Sequence, residues 1–155
     1  AAWIGAHGAR TGLRTSFVCA ADARVTQLSA DGALAVFRVA QEALANVAKH
    51  AHASAADVRI DVDDTHLSLV VTDDGVGVGV GVGVGVGVGA AAARRRGGYG
   101  LGSMRARCEA LGGTLELASP RAGGAGTALR ARFAWHALIA ARTPAAARKV
   151  RKEAR

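Results

Sequence analysis

At 155 residues the chain suits one domain of ordinary size, and its 21% charged and 50% hydrophobic fractions exclude disorder throughout as well as collagen-like or disulfide-rich classes. The apolar mass is small-sided, with 37 alanines and 21 glycines against six aromatics, so a core has to be built from Ala, Val and Leu. The net charge of +8 sits in two places: residues 142–155 hold six basic groups and one acid, and Arg94–Arg96 supply three more, so the rest is neutral and offers no basic surface for nucleic acid.

Residues 1–12 read as irregular and lack the apolar stretch of a signal peptide. Leu13–Cys19 reads as a short strand. Ser29 or Asp31 can cap a long helix running to about Ala51, in which Phe37, Ala40, Leu44, Val47 and Ala51 recur at helical spacing and predict a core-facing stripe. Ala56–Val62 and His66–Thr72 flank Asp63-Asp64-Thr65 and predict a hairpin. Seven tandem Val-Gly pairs follow at Val76–Gly89, then four alanines and three arginines. Gly75–Ala93 is uncharged for long enough to span a bilayer on paper, but so much glycine, without a polar face, predicts a mobile segment and no membrane contact. Helical periodicity returns at Leu101–Leu111 and stops at Gly112-Gly113. Thr114–Ala118 and Thr127–Phe133 read as two further strands, and from residue 136 a basic Ala/Arg tail is expected to be flexible. Cys19 and Cys108, among apolar neighbours, are expected to be buried free thiols. The order of elements predicts an α/β two-layer sandwich, its mostly antiparallel sheet covered on one face by helices.

Three fragments carry polar chemistry. Glu42, Asn46, Lys49 and His50 share one helix face, expected to lie opposite the apolar stripe; acid, amide and base together suit a hydrated metal and phosphates. Asp73-Asp74-Gly75-Val76-Gly77 ends an apolar strand, placing an acceptor carboxylate beside a backbone that can approach a flat ligand closely. Gly97-Gly98-Tyr99-Gly100-Leu101-Gly102 enters a helix, where free N–H groups can seat a phosphate. On spacing alone, a solvated helix face, a strand-ending turn and a hinge would give the same three fragments.

Their combination and order are far more specific. Gln41-Glu42-Ala43-Leu44-Ala45-Asn46-Val47-Ala48-Lys49-His50, then Asp73 to Gly77, then Gly97 to Leu101, then Gly126-Thr127 resemble the N box and two glycine boxes of the sensor histidine kinase ATP-binding domain, of the nitrate-sensor and desaturase-sensor class. The resemblance runs from about Arg10 to Trp135. It implies a Bergerat-type (GHKL ATPase) fold over residues 13–135, with residues 1–12 as a linker remnant and residues 78–97 as an ATP lid. It also implies ATP and Mg²⁺ as ligands. On the matching positions, Asn46 would ligate Mg²⁺ and Glu42 would polarise its water shell. Lys49 and His50 would face the phosphates, and Asp73 would accept from the adenine amino group beside Gly75 and Gly77. Gly98, Gly100 and Leu101 would close over the phosphates, with Thr127 at the nucleotide.

The implied reaction is transfer of the γ-phosphoryl group to a histidine on a separate dimerisation domain, in a homodimeric, cytoplasmic kinase signalling to a response regulator. None of His7, His50, His52, His66 and His136 stands in a phospho-acceptor setting. The Val-Gly lid departs from the mixed lid of the class, and Gly102 and Ala106 stand where it often has charged residues. A serine kinase of the anti-sigma-factor type and a nucleotide-binding module without kinase activity are the alternatives on the same fold.

Overall fold

The computed structural model describes residues 1–77, 99–119 and 125–139. Most of the Val-Gly repeat, Gly98 and the tail beyond residue 139 lie outside the described residues, and with them the expectations of a mobile lid and a flexible tail. In chain order the elements are α1 (Ala2–Thr11), β1 (Arg14–Cys19), a short 3₁₀ turn (Ala23–Gln27), α2 (Ala30–Asn46) continued by a π-helical turn (Val47–Ala51), β2 (Ala55–Val62), β3 (His66–Asp73), α3 (Tyr99–Ala110), β4 (Leu115–Ala118), β5 (Ala128–Ala134) and α4 (Trp135–Leu138).

The strands form one sheet in the order β1-β2-β3-β5-β4. β1 runs parallel to β2 through the α2 crossover, and every other pairing is antiparallel. One face carries Val58, Leu67, Leu69, Leu129, Ala131 and Phe133, all buried beneath the helices, while Asp57, Arg59, Arg130 and Glu116 stand exposed on strands of the same sheet. This is the predicted two-layer sandwich. Ser29 starts α2 as expected, its hydroxyl accepting the Gly32 N–H at 3.0 Å, with Asp31 complementing the positive end of the helix in its first turn. Val36, Val39, Ala40, Ala43 and Leu44 of α2 meet Met104 and Cys108 of α3 in the core. Burial raises the Cys108 thiol pKa to about 11, so it behaves as a small apolar side chain.

Four details differ from the sequence reading. Residues 2–11 are helical rather than irregular: Gly5 and Gly8 weaken the local signal, but Ile4 and His7 turn inward and the helix lies against β1. Phe37 is not a core residue; it is 38% exposed and packs edge-on to Trp3 at 5.2 Å, because Val36 takes the inward position. Cys19 is exposed, since β1 is an edge strand. The ordered domain runs past Trp135. Leu138 is fully buried, and its carbonyl accepts from the Ser29 amide at 2.9 Å and the Ser29 hydroxyl at 2.8 Å, tying α4 to the start of α2.

Leu44 is fully buried at the α2–sheet boundary. Leu44→Ala should therefore lower stability by about 2–5 kcal/mol, read as a drop in the denaturant midpoint with an unchanged slope.

Candidate functional site

At the C-terminal end of the central strand β3 the backbone is gripped from both sides. The Asp73 amide donates to the Thr127 carbonyl at 3.0 Å on the β5 side, and Asp73 pairs with Ala56 on the β2 side. The turn that follows folds against the end of α2. The Val76 amide donates to the Ala51 carbonyl at 2.8 Å, and a Cβ on Gly75 would collide with that same carbonyl. Only glycine permits the approach. Gly77, two residues on, has φ +79, which an L side chain rarely adopts.

A cleft opens between these elements. Counted with its open mouth it holds about 570 Å³. Its walls are mostly apolar: Ala43, Val47 and Ala51 from the long helix and its π turn, Val71 and Leu129 from the sheet, and Leu101 from α3. Asn46, His50, Asp73 and Thr127 supply the polar groups, and Gly77 and Leu117 complete the rim. Asn46 and His50 thus border the apolar stripe, where the sequence reading had put the polar face opposite it. The π turn over Val47–Ala51 shifts the helical phase at this point, and such turns are often found at functional sites.

Asp73 is only 4% exposed. Its Oδ1 accepts the Gly75 N–H at 2.9 Å, and its Oδ2 takes no hydrogen bond among the described residues. A carboxylate oxygen in an apolar cleft without a protein donor is an acceptor waiting for a ligand's N–H. Asp74, next in the chain, turns away. Its carboxylate accepts from the Ser54 amide at 2.8 Å, the Ser54 hydroxyl at 2.5 Å and the Ala55 amide at 2.9 Å. The Ser54 hydroxyl first, then the Ala55 amide, hold its pKa at about 2, below the ordinary 3.8. The bonded form is the ionised one, so the stabilisation is complete above about pH 4 and is lost as pH falls through 2.

Glu42 and Asn46, one turn apart on α2, converge on the first turn of α3. A Cβ at Gly100 would strike the Glu42 carboxylate and come within 3.3 Å of Asn46 Nδ2. Among the described residues no group of three or more His, Cys, Asp or Glu side chains forms a metal cage. One carboxylate and one amide nevertheless suit Mg²⁺, which commonly binds through one or two protein oxygens plus waters and phosphates. Lys49 is exposed and does not line the cleft, and Gly98 lies outside the described residues. The sequence reading missed the Ser54–Asp74 contact and Leu117, because neither has a local pattern that marks it.

This arrangement is that of a nucleotide-binding ATPase domain, and residues 31–136 match the family described as histidine kinase-, DNA gyrase B-, and HSP90-like ATPase. The chain belongs to that family. More particularly, it is similar to the signal transduction histidine-protein kinase/phosphatase UhpB of Salmonella typhimurium, with 36% identity over 92 residues, or 59% of this chain. The chain spans only 16% of the length of that relative. In fold it resembles the histidine kinase domain of the Erythrobacter litoralis EL346 blue-light activated histidine kinase (TM-score 0.66, 17% identity, 88% of this chain and 59% of that one). It also resembles the mycobacterial sensor histidine kinase MprB (TM-score 0.55, 20% identity, 84% of this chain and 87% of that one). The domain is therefore an ATP-binding domain of this ATPase family, with the fold seen in histidine kinases. Among the described residues no helix is long and apolar enough to cross a membrane.

The Gly100–Glu42 approach gives a test. In Gly100→Ala the new methyl meets the free end of a flexible side chain, so Glu42 swings away and the fold persists. Stability should hold, while ATP affinity falls in a nucleotide titration.

Proposed function

We propose that this domain is the catalytic ATP-binding part of a sensor histidine kinase. It would transfer the γ-phosphoryl group of ATP to a histidine on a separate dimerisation domain, for relay to a response regulator. The observation that carries the reading is Asp73: a buried carboxylate, fixed by one N–H and with a second oxygen free toward an apolar cleft, suits a flat base that presents an amino group.

In this reading the adenine lies against Val71, Leu129 and the glycine turn, where Gly75 and Gly77 leave room, and Thr127 flanks it. The phosphates extend toward Asn46 and His50, under the first turn of α3 at Gly100 and Leu101, with Gly98 just before it. Lys49, exposed beside His50, reaches the outer phosphates. Asn46, with Glu42 one turn before it, would hold Mg²⁺, which neutralises charge developing on the phosphate oxygens. Glu42 is half-buried at the α2–α3 contact and is not engaged by any cation among the described residues, so it can orient a metal-bound water or accept the proton of the attacking imidazole. The imidazole nitrogen bonds to the γ-phosphorus as the bond to the β–γ bridging oxygen breaks, and ADP leaves with that electron pair. Catalysis of this kind is chiefly positioning and electrostatics. The acceptor domain would come from the longer kinase as a homodimer, and this domain would work in the cytoplasm.

The test is incubation with γ-labelled ATP. The chain alone should bind ATP but acquire no acid-labile phosphate, and addition of a matching dimerisation-helix domain should produce label on that domain. Label on His50 or His52 of this chain would overturn the assignment of the acceptor. Asp73→Asn should weaken ATP binding roughly ten- to a hundredfold, as loss of a charge-assisted bond predicts.

Asn46→Ala separates metal from fold. Alanine is the better helix former, so the thermal midpoint should stay near or above that of the parent while the Mg²⁺-dependent part of ATP affinity falls. Calorimetry paired with a nucleotide titration at varied Mg²⁺ reads both.

A further inference from the structure

The cleft has two walls that are far apart in sequence. Asn46 and His50 come from α2 and its π turn, and Asp73 and Gly77 from the end of β3 and its turn. Their separation decides whether one ligand can touch both. The hairpin register, with Ala56 opposite Asp73, already fixes β3 relative to β2 without help from Asp74. In the segment between the helix and β2, the backbone of residues 54 and 55 is tied to β1 by the Arg14 amide donating to the Ser54 carbonyl at 3.0 Å and to the turn by the Asp74 amide donating to the Ala55 carbonyl at 3.3 Å. That segment contains the π turn and then His52 at φ +50, a left-handed conformation uncommon for a non-glycine residue. Both features persist only where surrounding contacts hold them.

Besides those two backbone bonds, three contacts hold the segment against the turn after β3, and two of them are backbone features of that turn, the Val76–Ala51 hydrogen bond and the close approach of Gly75. The third is a side chain. The Asp74 carboxylate takes all three donors that Ser54 and the Ala55 amide offer, at the point where the segment enters β2. We infer that Asp74 is a positioning residue: by clasping Ser54 and Ala55 it sets the distance between the Asp73 carboxylate and the Asn46–His50 wall, and so tunes nucleotide affinity without touching the nucleotide. The inference rests on the nucleotide reading of the cleft. The clasp is charge-assisted, in keeping with the depressed pKa of Asp74, and should not titrate near neutral pH.

The experiment measures ATP affinity and thermal midpoint for four variants of the full chain, together with KM and kcat for transfer to a supplied acceptor domain. Asp74→Ala should raise the ATP dissociation constant and KM about tenfold, with kcat changed less than threefold. Asp74→Asn should recover most of the loss, because its carbonyl oxygen can still accept the two backbone amides and its NH₂ can donate to Ser54 Oγ. Should Asp74→Ala fail to fold, Asp74→Glu replaces it. The carboxylate is kept but the longer reach shifts residues 54–55, so affinity should fall while the midpoint holds. A lowered midpoint with ATP affinity within twofold of the parent, for whichever of these two variants folds, would overturn the inference and leave Asp74 a structural loop residue. Asp73→Asn is the control that keeps the two readings apart. If it too leaves ATP binding unchanged, the nucleotide reading of the cleft is what has failed; if it weakens binding and the Asp74 variants do not, only the positioning role falls.

Discussion

The site depends on one close approach of backbone to backbone. The glycine turn after β3 presses on the Ala51 carbonyl with a 2.8 Å hydrogen bond from Val76, and no side chain fits between them at Gly75. Through that contact the end of the long helix and the end of the central strand become two sides of one cleft. Widening it by a single methyl would part Asn46 and His50 from Asp73. The small-sided composition serves the same end: Ala43 and Ala51 face the cleft and leave room for a ligand where larger residues would fill it.

Adjacent aspartates at the head of the turn have been given opposite tasks by their surroundings. Asp74 is surrounded by donors from residues 54 and 55 and has no acceptor capacity to spare for a ligand in that direction. Asp73 has one protein donor and an open side. The open side of Asp73 gives onto the apolar cleft, where a carboxylate oxygen without a protein donor can accept from a ligand.

Much of this was legible in the chain. The N-cap at Ser29, the hairpin around residues 63–65, the helix stop at Gly112 and the two last strands all follow from local rules, because capping, alternation and turn chemistry act within a few residues. The three motifs identified the family because their residue types are constrained by ligand chemistry at fixed local spacing. The helix at residues 2–11 was not legible, because its glycine-weakened sequence is held by packing on β1. Phe37 and Val36 are both apolar and adjacent, and only the packing of α2 in the core decides that Val36 faces inward while Phe37 meets Trp3.

The sequence by itself determined the order of elements, the two-layer class and the identity of Asn46 and Asp73 as the polar groups to watch, since each rests on short-range pattern or on motif chemistry. Tertiary structure decided the rest. It placed His50 beside the apolar stripe through a π turn that has no residue-type signature, and it brought Gly100 against Glu42 across 58 positions of chain. It also sent Asp73 into the cleft and Asp74 away from it, a choice between identical side chains. The reason is physical: successive side chains of an extended strand point to opposite sides, and only the pairing of β3 with β2 and β5 determines which side is the cleft.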